Sequence, residues 1–188
     1  MTTMTEAKAV AAGTGRPAVK KAAAKKPSVV AKKGDMVMIK RPAKRGYPGG
    51  YSSEDFHEWQ AVFVKLAPTS RIESIRTGLE AKLLVGASEY FEMPRIRFGQ
   101  LLGMSASTME RKIKEHALLG SAESEKLARL ALIEVEAEKV FGKKTVAREW
   151  LLSKNTALGD SPMSLLDTEL GSIEVRKMLN AIAYGGVA

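Results

Sequence analysis

Cysteine is absent from the 188 residues, which excludes a disulfide framework, a thiolate nucleophile and a cysteine-ligated zinc site. Imidazole is almost as scarce, with His57 and His116 alone in the chain. The first is read as preceding a helix and the second as closing one, so each is expected to be exposed or satisfied rather than a ligand or a general base. No long uncharged apolar run is present to cross a bilayer, and the first residues lack the continuous apolar core of a secretory signal. The expectation is a protein of the reducing cytoplasm, with no membrane partner. Strand-like alternation is missing too, so no Gly-rich phosphate loop can follow a strand. The closely spaced carboxylates Glu134, Glu136 and Glu138 alternate with apolar residues and read as solvated helix faces. These absences leave no catalytic constellation: the chain is expected not to be an enzyme, to hold no metal and to require no cofactor.

What the chain has in quantity is positive charge, placed at one end. Residues 1–50 hold 12 lysines and arginines against Glu6 and Asp35, a net +10, while residues 51–188 hold 18 against 19, a net −1. The stretch AVKKAAAKKPSVVAKKGD and the KRPAKRGYPGG after it mix Ala, Lys, Pro and Gly with almost nothing to bury. Residues 1–52 are therefore expected to be a disordered basic tail. Such a tail is either a solvated extension or a sequence-independent arm whose lysines release counterions from DNA. The remaining length suits one compact domain or two small ones.

Order is expected from near Ser53, where SEDFHEWQAVFVKL places Phe56, Trp59 and Phe63 at helical spacing. Pro68 breaks the chain, and Ser70 with Glu73 reads as an S-x-x-E capping box for a helix that stops at Gly78. EAKLLVGASEYF then puts Leu83, Leu84, Ala87 and Phe91 on one helical face.

The run FGQLLGMSASTMER, Phe98 to Arg111, has the pattern of a helix-turn-helix extending from Pro94 to about His116. Phe98, Leu102 and Met109 are spaced to face one core. Gly103 falls just past a short helix, where the chain must turn with positive φ, and Met104 seals the turn. Gly99 costs roughly 1 kcal/mol of helix propensity but lets the two helices approach closely. Ser105 offers a hydroxyl to the first N–H groups of the second helix. The free face of that helix carries Ser105, Ala106, Ser107, Glu110, Arg111 and Lys114, the candidate DNA contacts. Glu110 can accept from cytosine N4 but repels phosphates.

A second helical unit is expected from Ser121. SAESEKLARLALIEVEAEKVFG is apolar on more than one side, at Leu127, Leu130, Ile133, Ala137, Val140 and Phe141, so it must pack on both sides, bridging two units or joining a dimer. KKTVAREWLL follows, then the turn-rich SKNTALGD, then Ser161 and Pro162 as N-cap and first helical residue. The last helix, about Thr168 to Ala183, has Val175, Met178, Leu179 and Ile182 on one side and ends in YGGVA. Two glycines there bring backbone groups close to any ligand surface. The whole reads as all-α.

ESEKLARLALIEVEAEKVFG, Trp150 and Leu151, NTALGDSPMSLL with Gly159 and Pro162, and LGSIEVRKMLNAIAYGGVA together resemble the toxin-binding domain of bacterial antitoxins of the Xre/MbcA/ParS family. The preceding helix-turn-helix resembles the Xre-like domain that accompanies it, and the likeness covers about residues 70–188. It implies a helix-turn-helix dimerisation and DNA-binding domain over 53–120 and a helical toxin-binding domain over 121–188. It further implies a type II antitoxin whose partner is a RES-domain toxin that consumes NAD or uses it for ADP-ribosylation. The other implied partners are operator DNA and a second copy of the chain, within a larger complex.

Carried over by residue, the resemblance makes Tyr184, Gly185, Gly186, Val187 and Ala188 a plug for the toxin's NAD cleft. Glu174, Lys177, Met178 and Ala181 lie near the toxin, and Val175, Leu179 and Ile182 form core. Trp150, Leu158, Gly159 and Pro162 belong to the fold. Arg111 and Lys114 become the DNA contacts. The alternative is a helix-turn-helix nucleic-acid-binding protein whose basic tail adds affinity and which has no toxin partner.

Overall fold

A computed structural model describes residues 51–185; the basic tail over residues 1–50 and the final Gly186, Val187 and Ala188 lie outside the described residues. Among the described residues the chain is helical, in the order α1 (Ser53–Phe63), α2 (Pro68–Thr77), α3 (Leu83–Tyr90), α4 (Arg95–Leu101), α5 (Ala106–Lys114), α6 (Ser121–Phe141), α7 (Lys144–Leu152), α8 (Pro162–Leu165) and α9 (Glu169–Ala183). An isolated antiparallel bridge between Glu80 and Leu118 clips the α2–α3 linker to the α5–α6 linker. Its backbone bonds run from Leu119 N to Leu79 O (2.8 Å) and from Ala81 N to Ala117 O (3.0 Å).

The helices start where their caps dictate. Ser52 and Asp55 form a reciprocal capping box for α1, so Ser52, expected in the tail, already belongs to the folded part, as does Tyr51, which is half-buried with its hydroxyl donating to Glu80 at 3.2 Å. The box expected at Ser70 and Glu73 does not form. Pro68 already occupies the first turn of α2 and no side chain caps it, which places Ser70 inside the helix, where it cannot serve as N-cap. Ser105, Ser161 and Thr168 each cap their helix through a side-chain oxygen, accepting from Thr108, Ser164 and Gly171 N–H respectively.

Two helix ends are closed by a non-glycine residue in the left-handed region. Glu92 (φ 50°) ends α3 and His116 (φ 52°) ends α5, each with the following N–H reaching back five residues, Met93 to Ser88 O and Ala117 to Lys112 O, both at 2.9 Å. Glycine is the usual residue in such a cap, and any other costs on the order of 1–2 kcal/mol.

One core runs through the described chain, from Phe56, Trp59 and Phe63 through Phe91, Phe98 and Met109 to Leu151, Val175 and Leu179. α6 is its axis. It packs against α2, α7 and α9, and Gln60 of α1 bonds the Ala131 carbonyl and the Glu134 carboxylate. The expectation that an all-round apolar helix must be covered on both sides is met by this bridging position. α9 lies parallel to the second half of α6, with Arg129, near the middle of α6, paired to Glu169 at the start of α9, and Glu136 paired to Arg176 further along both helices.

The reading of Glu134 as a solvated carboxylate is corrected: its exposure is 0%. Tyr90 Oη–H and Gln60 Nε2–H donate to its two oxygens, each at 2.6 Å. Residues two apart on a helix point about 200° from each other, so Glu134 faces α1 and α3 while Glu136 faces Arg176 of α9. His57 also differs from expectation. It sits within α1 rather than before it, half-buried, its ring stacked on Tyr90 at 6.1 Å. Nδ1 lies 3.3 Å from Gln60 Oε1 and Nε2 contacts the Lys144 ammonium.

Candidate functional site

Two surfaces answer to the residues singled out above, one on α5 and one on α9. α4 and α5 meet at the turn anchored by Gly103 (φ 81°), with Phe98, Leu102, Met104 and Met109 buried beneath it. Gly99 packs directly on Met109, where a Cβ would crowd the thioether. Met109 therefore fixes which side of α5 faces inward, and the opposite side faces solvent.

That outer side carries Ser107, Glu110, Arg111 and Lys114, all exposed, with Ala106 half-buried at its edge. Ser105 is exposed but committed to capping: its hydroxyl accepts from Thr108 N–H at 3.2 Å and bonds the Thr108 hydroxyl at 2.9 Å. Arg111 and Lys114 form no ion pair among the described residues and stand one helical turn apart. Glu110 is engaged by Arg95 of α4 at 3.5 Å, an exposed pair that softens its repulsion of phosphates. Lys112 points away and donates to the Leu118 carbonyl at 2.9 Å. The outer face is therefore a short polar ridge with Arg111 and Lys114 as its cations.

The α9 surface is of the opposite kind. Val175 and Leu179 are buried against the core and Ile182 is half-buried, so the far side of the helix is left without cover. It displays Leu170, 71% exposed, Ile173 and Tyr184, 89% exposed. Lys177 lies among them, paired with Glu174 at 2.7 Å, and Ala181 and Met178 lie half-buried at the margins. Leu170 and Ile173 are not among the residues singled out by sequence. Their spacing to Lys177, Ala181 and Tyr184, by threes and fours, is the signal that identifies them. α9 is thus apolar on two sides, one buried in the core and one carrying exposed Leu170, Ile173 and Tyr184, and an uncovered apolar stripe of this kind suits a contact surface.

The residues assigned to the fold of this unit behave accordingly. Trp150 and Leu158 pack against the core, Trp150 with its ring 5.5 Å from Phe141. Pro162 is buried at the first turn of α8, and Gly159 takes φ 80° in the preceding loop. Asn155 shapes that loop by accepting from Ala157 and Leu158 N–H through its side-chain oxygen. Of the five terminal residues, Tyr184 closes α9 and Gly185 follows with φ 74°.

Two burial effects perturb tyrosines near these elements. The Tyr90 phenol is pushed well above its ordinary value, first by burial and then by its bond to Glu134 and that residue's charge. Tyr51 moves the same way, through burial and then the charge of Glu80. Both remain neutral donors over the physiological range.

Residues 70–132, from within α2 through α5 to the middle of α6, match the antitoxin Xre-like helix-turn-helix domain. Residues 136–185, the end of α6 through α9, match the antitoxin Xre/MbcA/ParS C-terminal toxin-binding domain. Among whole proteins, the chain is similar to an antitoxin Xre of Pseudomonas putida, 30% identical over 138 residues, covering 69% of this chain and 86% of the relative. It is also similar to an antitoxin Xre of Yersinia enterocolitica, 27% identical over 124 residues, covering 63% of this chain and 84% of the relative.

Proposed function

Because this chain belongs to the Xre antitoxin family and so has the antitoxin's place in a toxin–antitoxin pair, we propose that it acts in the cytoplasm to inhibit a RES-domain toxin that consumes NAD or transfers ADP-ribose. The observation that carries the reading is the uncovered apolar stripe on α9, Leu170, Ile173 and Tyr184, in the segment that matches a toxin-binding domain. The toxin seats on this stripe, with Glu174, Lys177, Met178 and Ala181 around it. The terminal Tyr184, Gly185, Gly186, Val187 and Ala188 then enter the NAD cleft and close it. A dimer of the chain, bound to operator DNA through Ser107, Arg111 and Lys114 of α5, represses transcription of the pair.

Coexpression of an affinity-tagged chain with the product of the adjacent gene tests the proposal. Wild type should retain the toxin through purification, while the double variant Leu170→Asp and Ile173→Asp should lose it and keep its helical circular dichroism, since both side chains face solvent. Undiminished retention by the variant would remove α9 from the interface. Failure of the wild type to retain any neighbour product would favour the nucleic-acid-binding alternative.

A further inference from the structure

The segment that matches the toxin-binding domain reaches back to grip the corner from which the helix-turn-helix begins. α3 ends at Tyr90, the chain turns at Glu92 through a left-handed residue, and α4 starts at Arg95. No side chain of the corner itself caps α4, whose N-cap is Pro94. The corner is instead held from outside by Arg148 of α7. Its Nη1–H donates to the Tyr90 carbonyl at 2.7 Å, and its Nη2 pairs with Glu92 Oε1 at 2.8 Å. The guanidinium also lies 5.9 Å from the centre of the Tyr90 ring.

The arrangement has the form of a clamp. A planar guanidinium with two parallel donors satisfies a backbone carbonyl and a carboxylate two residues apart, a fork that a lysine ammonium cannot reproduce. Arg148 is only 25% exposed, whereas Glu92 is 71% exposed, so the arginine is the fixed member and the corner the held one. Glu92 occupies the position where a helix cap ordinarily takes glycine, and the pair with Arg148 favours that conformation in the absence of glycine. On the inner side, Phe91 stacks on Phe98 of α4 at 6.1 Å, so the direction of the corner sets the direction of α4. α4 in turn sets α5, through the turn at Gly103.

We propose that Arg148 is a positioning residue for DNA recognition: a side chain of the toxin-binding segment orients the helix-turn-helix through the Tyr90–Glu92 corner. The inference rests on the reading of α5 as the DNA-contacting helix. It adds that the affinity of that helix for its operator depends on α7, which acts through the corner rather than from the face of α5.

The test uses the full chain and two independent readouts. Amide hydrogen exchange reports order in α4 and α5 without any DNA. Binding to the promoter fragment upstream of the chain's own gene, compared with a scrambled fragment, reports recognition. Arg148→Ala should speed exchange across residues 92–104 at least five-fold and lower the promoter-to-scrambled affinity ratio at least five-fold, with Arg148→Lys recovering part of both. Val175→Ala, a cavity in the α9 core, serves as a destabilised control and should move neither, all measurements being made at a temperature where each variant is fully folded. Exchange in α4 that is unchanged by Arg148→Ala overturns the proposal, as does an unchanged affinity ratio. A loss that Val175→Ala reproduces equally also overturns it, because general destabilisation then explains the effect. If the wild-type chain shows no preference for the promoter, the reading of α5 fails, and the exchange arm alone decides whether Arg148 orders the corner.

Discussion

The Tyr90 hydroxyl donates to Glu134 across 2.6 Å in the seam where α3 meets α6, and Glu134 has no solvent exposure at all. Gln60 of α1 supplies the second donor, to the other carboxylate oxygen, and with its other amide hydrogen bonds the Ala131 carbonyl. Three helices are thereby tied to one buried carboxylate beside α7, whose Lys144 and Arg148 contact His57 and the Tyr90 carbonyl. A buried charge is tolerated only when its oxygens are satisfied. The seam therefore fixes the relative placement of these helices more than it adds net stability.

Tyr90→Phe leaves Glu134 with Gln60 as its remaining donor among the described residues, and should cost about 1–3 kcal/mol at neutral pH. Glu134→Leu, which removes the charge and fills the space, should cost less than Glu134→Ala. Urea denaturation followed by circular dichroism measures all three. A Tyr90→Phe midpoint equal to that of wild type would mean that the hydroxyl contributes nothing.

The same bond makes stability fall in alkali. The Tyr90 phenol is held protonated by burial and by Glu134, above the ordinary tyrosine value of 10.0, and Tyr51 is displaced in the same direction by burial and Glu80. The folded state thus binds protons that the unfolded chain releases. The associated stability is complete below about pH 10 and declines as pH rises beyond it. Tyr90→Phe should flatten this decline in part, and Tyr90→Phe with Tyr51→Phe should flatten it further, in denaturation series between neutral pH and about pH 11.

The elements set by local chemistry are legible in the sequence, and those set by distant contacts are not. Gly103, Ser105 and the spacing of Phe98, Leu102 and Met109 each act within a few residues, so the helix-turn-helix can be read directly. Ser161 with Pro162 and Thr168 likewise mark the starts of α8 and α9. Glu134 misleads because its partners lie at Gln60 and Tyr90, far away in the chain, and nothing near it announces a buried carboxylate. The capping-box pattern at Ser70 and Glu73 misleads because Pro68 starts α2 two residues earlier, which places Ser70 inside the helix rather than at its N-cap. Leu170 and Ile173 are hard to single out because α9 is apolar on two sides, and the stripe through Val175 and Leu179 accounts for the core without them.

On α5, Arg111→Ala should weaken promoter binding by about 1–3 kcal/mol if the guanidinium makes a bidentate base contact. Arg111 and Lys114 are exposed on the side of α5 opposite Met109, so neither substitution should disturb the fold or the retention of the toxin. A mobility shift unchanged by Arg111→Ala and Lys114→Ala together would place DNA elsewhere on the protein.

Deleting residues 1–50 removes a net charge of +10 and none of the core packing described above. Non-specific DNA binding should weaken, and the slope of log affinity against log salt should flatten in proportion to the number of phosphates that the tail neutralises. Toxin retention should be unaffected. A truncated chain with the wild-type salt slope would show that the tail is a solvated extension.

The end of α9 separates two ways of blocking an enzyme. Tyr184 is 89% exposed at the last turn of the helix, where a ring of that size has no role in the antitoxin's own core. It can fill an apolar pocket of a partner while its hydroxyl stays paired. The residues after it, two glycines and then Val187 and Ala188, are slim enough to follow it into a narrow cleft. Leu170 and Ile173 lie more than two turns away at the other end of the helix, so under the proposed function the grip on the toxin and the closure of its cleft fall to distinct parts of one surface. Removing Tyr184 to Ala188 should therefore relieve inhibition of NAD turnover by at least ten-fold while lowering the affinity of the complex much less. Titrating the toxin with full-length and truncated chains, with NAD loss and complex formation followed in parallel, separates the two quantities. Equal inhibition by both chains at equal occupancy would assign the block to the body of α9 and leave the terminal residues without a part in it.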